Sequence, residues 1–379
     1  MQIPAQATVV NVEEALRDAA AAPADEPFAL PLNLRHLGCG GEAALSQLIV
    51  TWAQPRFPAT LRTYVRTPEQ IDDFVRRLPG LIGALCASVV MGGDQSGDLT
   101  DVIRTAALSR LQALLSGRPK AAYRGSSVEI VCADHIGRSA PYLLYQPDGG
   151  HAARLRPRAS FAQLAAWLLK QSVPEAYHPA IAAQTPDALG GMMYELFKNT
   201  EEHGQIDAFG NILPMSIRAI KTLHHSIEPD TLIRIVADDP PLARYCRSLQ
   251  PPDRAAQTHL FELSVLDSGP GFAVSRTGRP LAQIAPEDEE AAVRDCFTKF
   301  SAKGGSRFGQ GLPHVLRILR QEGGFLRLRT GRLSMHADFS RDDPGDGTAV
   351  LEMFRPEGRA LAPVAGSLLT VLLPLRRGR

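Results

Sequence analysis

The chain has 379 residues, of which 41 are basic and 40 acidic, so its formal net charge is +1. This length is typical of two domains, and so small a net charge excludes an overall field that would recruit nucleic acid or anionic lipid. The five scattered cysteines include no C-x-x-C pair, and no apolar run approaches the ~20 residues of a membrane-spanning helix. We therefore expect a cytoplasmic protein with reduced thiols, no membrane contact and no direct nucleic-acid partner.

Helix-like and strand-like runs alternate through the first part of the chain, which predicts a smaller α/β domain over residues 1–150. The expected elements are a short helix capped by Asn11, strands at 28–34 and 61–65, a helix at about 42–54 and a longer helix capped by Thr67. This order of elements resembles that of a STAS domain, although no motif residue carries the resemblance. The role of this domain is left open.

A turn and a linker are predicted after two further strand-like runs, at 127–132 and 142–146. The second run ends in Pro147-Asp-Gly-Gly150, a strong turn signal. We place the linker at about 147–160, so that the second domain covers 151–379.

The second domain is predicted to contain a long helix that begins at Thr185-Pro186 and ends before Gly204. Glu195 and Asn199 are four residues apart, so they lie one turn apart on one face of this helix. One of them can hold a water molecule and the other a magnesium ion.

Two strands are expected next, at 232–236 and 260–266, with a proline-rich surface loop between them. The second strand ends at Asp267-Ser-Gly-Pro-Gly271. A carboxylate there can accept a hydrogen bond from an exocyclic amine, while Gly269 and Gly271 let bare backbone approach a flat base. The polar residues 272–308 that follow are predicted to form a lid.

A glycine-rich segment, Gly304-Gly-Ser-Arg-Phe-Gly309-Gln-Gly311-Leu312, leads into a predicted helix that ends near residue 321. Backbone amides at the N-terminus of a helix favour phosphate groups. The remaining predicted strands are at 325–330, 333–339, 349–354 and 367–373. Taken alone, each of these glycine, carboxylate and helix patterns also fits an ordinary turn or a polar helix face.

The three patterns occur in the order E-x-x-x-N, D-x-G-x-G and G-x-G-L. Together they resemble the N, G1 and G2 boxes of the GHKL ATPases, the superfamily of DNA gyrase, ninety-kilodalton chaperones, histidine kinases and MutL. The resemblance covers about residues 185–375. It implies a two-layer α/β sandwich with a mixed sheet covered by helices.

The resemblance also implies a role for each matching residue. Glu195 would be the general base, Asn199 would bind Mg²⁺ and Asp267 would bind the adenine amine. The other residues implied in ATP binding are Gly269, Gly271, Lys303, Gly309, Gly311 and Leu312. For Lys303 in the lid, a plain solvated role is equally open.

The family's last motif is a Gly-Thr or Gly-Ser that opens the final strand and whose hydroxyl reaches the adenine through water. Both Gly347-Thr348 and Gly366-Ser367 fit this description. Ser367 is preferred, because the strand after it ends the chain as in the kinase-like members.

Three functions follow from the resemblance. The first is an Mg²⁺-dependent ATPase whose nucleotide state controls its interaction with a protein partner, and a homodimer is compatible with this function. The second is a serine/threonine kinase, because the spacing of Glu195, Asn199 and His203-Gly204 is similar to the N box of anti-sigma-factor kinases. The third is a non-catalytic nucleotide sensor, against which Glu195 argues because a sensor needs no base.

Overall fold

The computed structural model describes Ile3 and residues 8–34, 39–56, 58–93, 97–116, 123–124, 126–148, 151–175, 185–249, 257–298, 311–340 and 351–375. In these ranges, no helix combines the length and the apolar character needed to cross a membrane. Three predicted site residues, Lys303, Gly309 and Thr348, lie outside the described residues.

The described chain contains α-helices and β-strands in alternation, which confirms the α/β class. The helices are α1 (Val9–Ala21), α2 (Gly41–Ala53), α3 (Pro68–Arg76), α4 (Leu78–Cys86), α5 (Thr100–Leu115), α6 (Arg158–Ser172), α7 (Thr185–His203), α8 (Pro229–Ile235), α9 (Pro240–Ser248), α10 (Phe272–Thr277), α11 (Pro286–Phe297) and α12 (Gly311–Glu322). The strands are β1 (Phe28–Leu30), β2 (Thr60–Thr63), β3 (Val89–Gly92), β4 (Tyr123–Arg124), β5 (Ser127–Ala133), β6 (Tyr145–Asp148), β7 (His151–Leu155), β8 (Ile217–Ile227), β9 (Thr258–Asp267), β10 (Phe325–Gly331), β11 (Leu333–Asp338), β12 (Glu352–Met353) and β13 (Val364–Pro374).

The first part of the chain forms a small parallel sheet in the order β1-β2-β3. Parallel neighbours need a crossover connection. Helix α2 supplies it between β1 and β2, and α3 with α4 supplies it between β2 and β3. The expected strand–helix alternation is thus present, but the specific resemblance to a STAS domain stays a prediction.

In the described ranges, the large sheet has eight strands in the order β12-β11-β10-β13-β9-β8-β5-β4. Every pairing between its described strands is antiparallel, so the expectation of a mixed sheet is wrong. Two of its strands, β4 and β5, come from before residue 150, whereas the other six come from after it. The domain boundary at 150 stays a prediction.

Helices cover both faces of the large sheet, which is therefore the middle of three layers. Helices α6, α7 and α12 pack together on one face, and α1 and α2 cover part of the other. Successive residues of a strand point to opposite faces. On β9, Leu263 and Val265 are fully buried on the face of α7, while Glu262 faces α2.

The face toward α2 carries buried charges that are paired with residues distant in sequence. Arg329 of β10 bonds Glu13 of α1 at 2.7 Å. Lys221 of β8 lies 3.3 Å from Glu42 of α2. Burial opposes ionisation of Glu262, but the neighbouring Lys221 and His225 outweigh it and lower its pKa to about 2. Such pairs are needed because a buried charge without a partner is strongly destabilising.

Two N-terminal helix predictions differ from the structure. The first helix is capped by Thr8, whose Oγ1 accepts the Asn11 N–H at 3.2 Å, so Asn11 lies in the first turn and is not the cap. Thr67 caps its helix as expected, but the long helix is two helices, α3 and α4. Pro79 has no N–H and therefore suits the first turn of a new helix better than the middle of a long one.

Predictions between α7 and β9 are the least accurate. Residues 232–236 were expected to form a strand, but 232–235 belong to α8, which begins at Pro229. The described part of the proline-rich segment is also not a surface loop: Asp239 caps α9, which buries Leu242 and Tyr245. Pro251 and Pro252 lie outside the described residues. Strand β8 has no counterpart among the predicted elements.

Candidate functional site

Segments that are distant in sequence meet at one cleft of about 240 Å³. Helix α7, the end of β9, the start of α12 and strand β13 all contribute to its walls. The predicted site residues that line it are Glu195, Asn199, Asp267, Gly271, Gly311, Leu312 and Ser367. Gly269, the remaining described candidate, lies in the loop between Asp267 and Gly271.

Asp267 and Ser367 face each other across the neighbouring antiparallel strands β9 and β13. Asp267 is 9 % exposed, and its carboxylate accepts the Gly269 N–H at 2.8 Å and also a bond from the Ser367 backbone N–H. Burial raises the pKa of Asp267 to about 6, although these two N–H groups and Arg218 oppose the rise. A carboxylate has about four acceptor positions, so this buried group retains capacity for further donors.

The two glycines after Asp267 are required by contacts within the protein. A Cβ atom on Gly269 would lie 2.6 Å from the His203 carbonyl oxygen, at the end of α7. Gly271 has φ +83°, and its Cβ would lie 2.7 Å from Thr330 Oγ1. These contacts give a reason for both glycines besides approach to a flat base, a role that stays a prediction.

Gly366 fixes the strand start beside Asp267. Its φ is +63°, and a Cβ atom would lie 1.9 Å from the Asp267 carbonyl oxygen, so no other residue fits there without moving the backbone. The Gly366 N–H donates to Gly269 O at 2.8 Å. This bond joins the loop after β9 to the start of β13, and Ser367 follows directly.

Helix α7 places Glu195 and Asn199 in the cleft wall, as the four-residue spacing predicts. Glu195 Oε1 accepts a hydrogen bond from Arg158 Nη1 at 3.1 Å. Arg158, the first residue of α6, also contacts the ring of His314 on α12. No box motif points to Arg158, because it comes from a helix that lies outside the three patterns.

The cleft wall opposite α7 comes from the described part of the expected lid. Residues 272–298 are not an open loop but contain α10 and α11, whose Phe272 and Phe297 rings stack at 5.9 Å. Phe272, Arg276 and Cys296 line the cleft. Burial raises the pKa of Cys296 to about 11, so this thiol stays protonated at neutral pH.

Arg218 supports the site from β8, where its backbone pairs with Asp267. Its guanidinium bonds both carboxylate oxygens of Asp134, at 3.0 and 2.7 Å, and also contacts Glu201 of α7. The Tyr145 hydroxyl accepts a further bond at 2.7 Å. This buried network connects β8, the end of β5 and α7 next to the cleft.

The cleft offers hard oxygen ligands to a metal. Within the described ranges, no group of three His, Cys, Asp or Glu side chains is arranged to hold an ion. Mg²⁺ on a nucleotide, however, keeps several waters and uses phosphate oxygens with one or two protein ligands. Asn199 lines the cleft, and its side-chain amide supplies the oxygen that this kind of ligation needs.

Comparison of the chain with protein-family models, with curated proteins and with solved structures gave no match. The functional argument therefore depends on the residues and geometry of the cleft.

Proposed function

We propose that the cleft binds ATP with Mg²⁺ and that the protein is a GHKL-type ATPase whose nucleotide state controls its contact with a protein partner. The observation that carries this proposal is the meeting of described residues from the three box-like segments, the third of which contributes Gly311 and Leu312. Glu195 and Asn199 line the same cleft as Asp267 and Gly311, although these residues lie far apart in the sequence.

The adenine end of the proposed site is the pair Asp267 and Ser367. Asp267 keeps acceptor capacity after binding two backbone N–H groups, and an exocyclic amine is a neutral donor of suitable geometry. Ser367 lies opposite on β13 and lines the cleft, where its hydroxyl can reach the base directly or through water.

The phosphate end of the proposed site is the start of α12. Free N–H groups at a helix N-terminus attract anions, and Gly311 and Leu312 of this first turn line the cleft. Lys198 of α7 and Arg276 of α10 add two cations to the lining of the same cleft. Mg²⁺, held by Asn199 and the phosphates, would neutralise charge that develops on the phosphate oxygens.

Glu195 is the proposed general base. It lies one helical turn before Asn199 and next to Gly311, so it is close to the expected position of the terminal phosphate. There it can take a proton from an attacking water molecule. In the structure its Oε1 accepts a hydrogen bond from Arg158. The Arg158 guanidinium therefore has to move away before Oε1 itself can accept the proton.

A serine/threonine kinase is the second candidate. The observation that favours it is the arrangement at the end of α7, where Glu195, Asn199 and His203 all line the cleft and Gly204 follows. The same base would then deprotonate a side-chain hydroxyl of a protein instead of water. A sensor is the third candidate, and the Arg158–Glu195 bond is the feature that fits it.

One experiment separates these functions: the purified protein is incubated with γ-labelled ATP and Mg²⁺, alone and with candidate partners. We expect release of free phosphate that depends on Glu195. Label on a partner serine or threonine would indicate the kinase, and binding with neither outcome would indicate the sensor. Failure to bind ATP at millimolar concentration would overturn the proposal for the whole site.

A further inference from the structure

Helix α2 and its C-cap residue, in the first part of the chain, carry three polar side chains at the end of the large sheet. Gln47 and Thr51 lie in α2 and Gln54 is the C-cap, and their spacings of four and three residues put them on one face. Gln47 is 1 % exposed, in a helix whose other buried residues are mostly apolar. A buried amide is unfavourable unless it is hydrogen-bonded, so the partners of these side chains are informative.

All three side chains bond to backbone beside the adenine end of the cleft. Gln47 Nε2 donates to Ala365 O at 3.2 Å, and Thr51 Oγ1 accepts the Ala365 N–H at 3.0 Å. Gln54 Nε2 donates to Ser268 O at 2.8 Å. These bonds join α2 to the residues on either side of the site.

The two bonded segments are those that position the proposed adenine ligands. Ala365 precedes Gly366-Ser367, and Ser268 follows Asp267. Both segments have irregular backbone. Gly366 has φ +63°, and the pairing of β10 with β13 shifts register at Thr330/Gly331. Ser268 lies just after the end of β9, in the turn that contains Gly271 with φ +83°. Backbone groups there cannot all be satisfied by a regular strand ladder, and α2 supplies partners for them.

We propose that Gln47, Thr51 and Gln54 are positioning residues for the adenine end of the cleft, through which the first part of the chain sets nucleotide affinity. This inference rests on the proposed ATP binding. When α2 keeps its place, Asp267 and Ser367 are held at their observed separation, and when α2 shifts, both segments lose hydrogen bonds. Coupling is reciprocal, so bound nucleotide would in turn hold α2 in place.

The N-terminal end of α2 contacts buried charged residues on one face of the large sheet. Glu42 lies 3.3 Å from Lys221, and the Gly40 N–H donates to Glu262 at 2.9 Å. Helix α2 also packs on α4 and α1. A ligand or partner that displaces these helices would therefore act on the cleft through α2, without touching the nucleotide.

The test compares Thr51→Val, Thr51→Ser and a control, Ser46→Ala. Valine keeps the shape of threonine but cannot accept the Ala365 N–H, whereas serine can. Ser46 is a buried hydroxyl of the same helix, and it donates to Glu42 O at 2.8 Å, within α2. We expect Thr51→Val to weaken ATP binding about two- to tenfold, the scale of one hydrogen bond, with turnover at saturating ATP unchanged. Thr51→Ser should restore affinity, and Ser46→Ala should leave it unaltered.

A second readout needs no nucleotide. Amide hydrogen exchange at Ala365 should be faster in Thr51→Val than in the wild type and in Ser46→Ala. If the wild type binds ATP and Thr51→Val binds it equally well, the inference is overturned while the proposed function stands. If the wild type does not bind ATP, the proposed function fails, and unchanged exchange at Ala365 would then overturn the positioning role as well.

Discussion

Gly311 and Glu195 touch across the contact between α12 and α7: a Cβ atom on Gly311 would lie 2.7 Å from Glu195 Oε2. No side chain can be added there without moving the carboxylate. We expect Gly311→Ala to lower phosphate release on the order of ten- to hundredfold, because a base displaced by about 1 Å loses its alignment. Steady-state phosphate release measures this effect.

The double variant with Glu195→Ala is the control for this prediction. Once the carboxylate is absent, the added methyl group has little left to displace. Gly311→Ala should therefore cause much less loss in that background than in the wild type. Equal losses in both backgrounds would mean that Gly311 acts on the phosphates or on folding, and not through Glu195.

Glu195→Ala alone separates binding from chemistry. Removal of the base should lower turnover by about 10² to 10⁴, with ATP affinity within a few-fold of the wild type, because the lost interaction belongs to the transition state. Calorimetry and phosphate release on the same sample check both halves. Wild-type turnover by this variant would exclude Glu195 as the base and favour the sensor.

Asp267→Asn should weaken ATP binding and stabilise the fold. Loss of a charge-assisted hydrogen bond corresponds to about ten- to hundredfold in affinity. The raised pKa of Asp267, about 6 against an ordinary 3.8, means that ionisation in the buried site costs roughly 3 kcal/mol at neutral pH. Asparagine avoids this cost and still accepts the Gly269 N–H.

The pH dependence gives the sign of this stability effect. Between about pH 4 and pH 6 the folded wild type holds a proton on Asp267 that the unfolded chain has lost. The contribution of Asp267 to stability is therefore full below pH 4 and is lost as pH rises through 6. Denaturant unfolding without nucleotide should show that the stability of Asp267→Asn relative to the wild type increases as pH rises through this window. A difference in stability that does not change with pH would contradict the raised pKa.

Asn199→Ala tests the metal ligand. Removal of its amide oxygen should weaken ATP binding on the order of tenfold in Mg²⁺, while binding in EDTA should match the wild type. Binding in EDTA is the control, because it is measured on the same variant without the metal. Equal weakening in both would indicate that Asn199 contacts the nucleotide or the fold directly.

Arg218→Met should destabilise the protein by about 3 to 5 kcal/mol, because it leaves the Asp134 carboxylate without its bidentate partner in a buried site. The matched control is Arg76→Ala, which removes an exposed pair with Asp72 and should cost about 0 to 1 kcal/mol. Denaturant unfolding measures both. A loss below 1 kcal/mol for Arg218→Met would show that the buried network contributes little.

The predictions of helices and strands from the sequence are most accurate where local signals agree with burial. Helix α7 begins at Thr185 and ends at His203, as its proline and glycine signals indicate. Strand β9 contains the apolar run before Asp267 and ends at Asp267. Seven candidate residues on or beside such elements line one cleft, while their roles stay predictions.

Strand β8 escaped prediction because buried charges interrupt its apolar pattern. Arg218 and Lys221 are each 1 % exposed, yet both are typical of surface positions in a sequence. Their partners, Asp134 and Glu42, are distant along the chain, so no local pattern reveals that these charges are neutralised. Arg158 was missed for the same reason, since its partner Glu195 lies on another helix.

Helix α8 was taken for a strand because four of the five residues at 232–236 are apolar. Only Leu232 and Val236 of this run are buried, four residues apart, which is the spacing of a helix face. Pro229 in the first turn was the local signal that favoured a helix. For α9, the cap Asp239 followed by Pro240 carried the same signal.

The large sheet takes β5 from the segment before residue 150, and this has a consequence for the ancestry of the chain. A fragment that starts at 151 would leave the β8 edge with a row of unpaired N–H and C=O groups, which tends to pair with other molecules. It would also leave Lys221 without Glu42. An exchange of modules by recombination at residue 150 would therefore expose a strand edge that favours aggregation, which is a physical reason for the two parts of the chain to be inherited together.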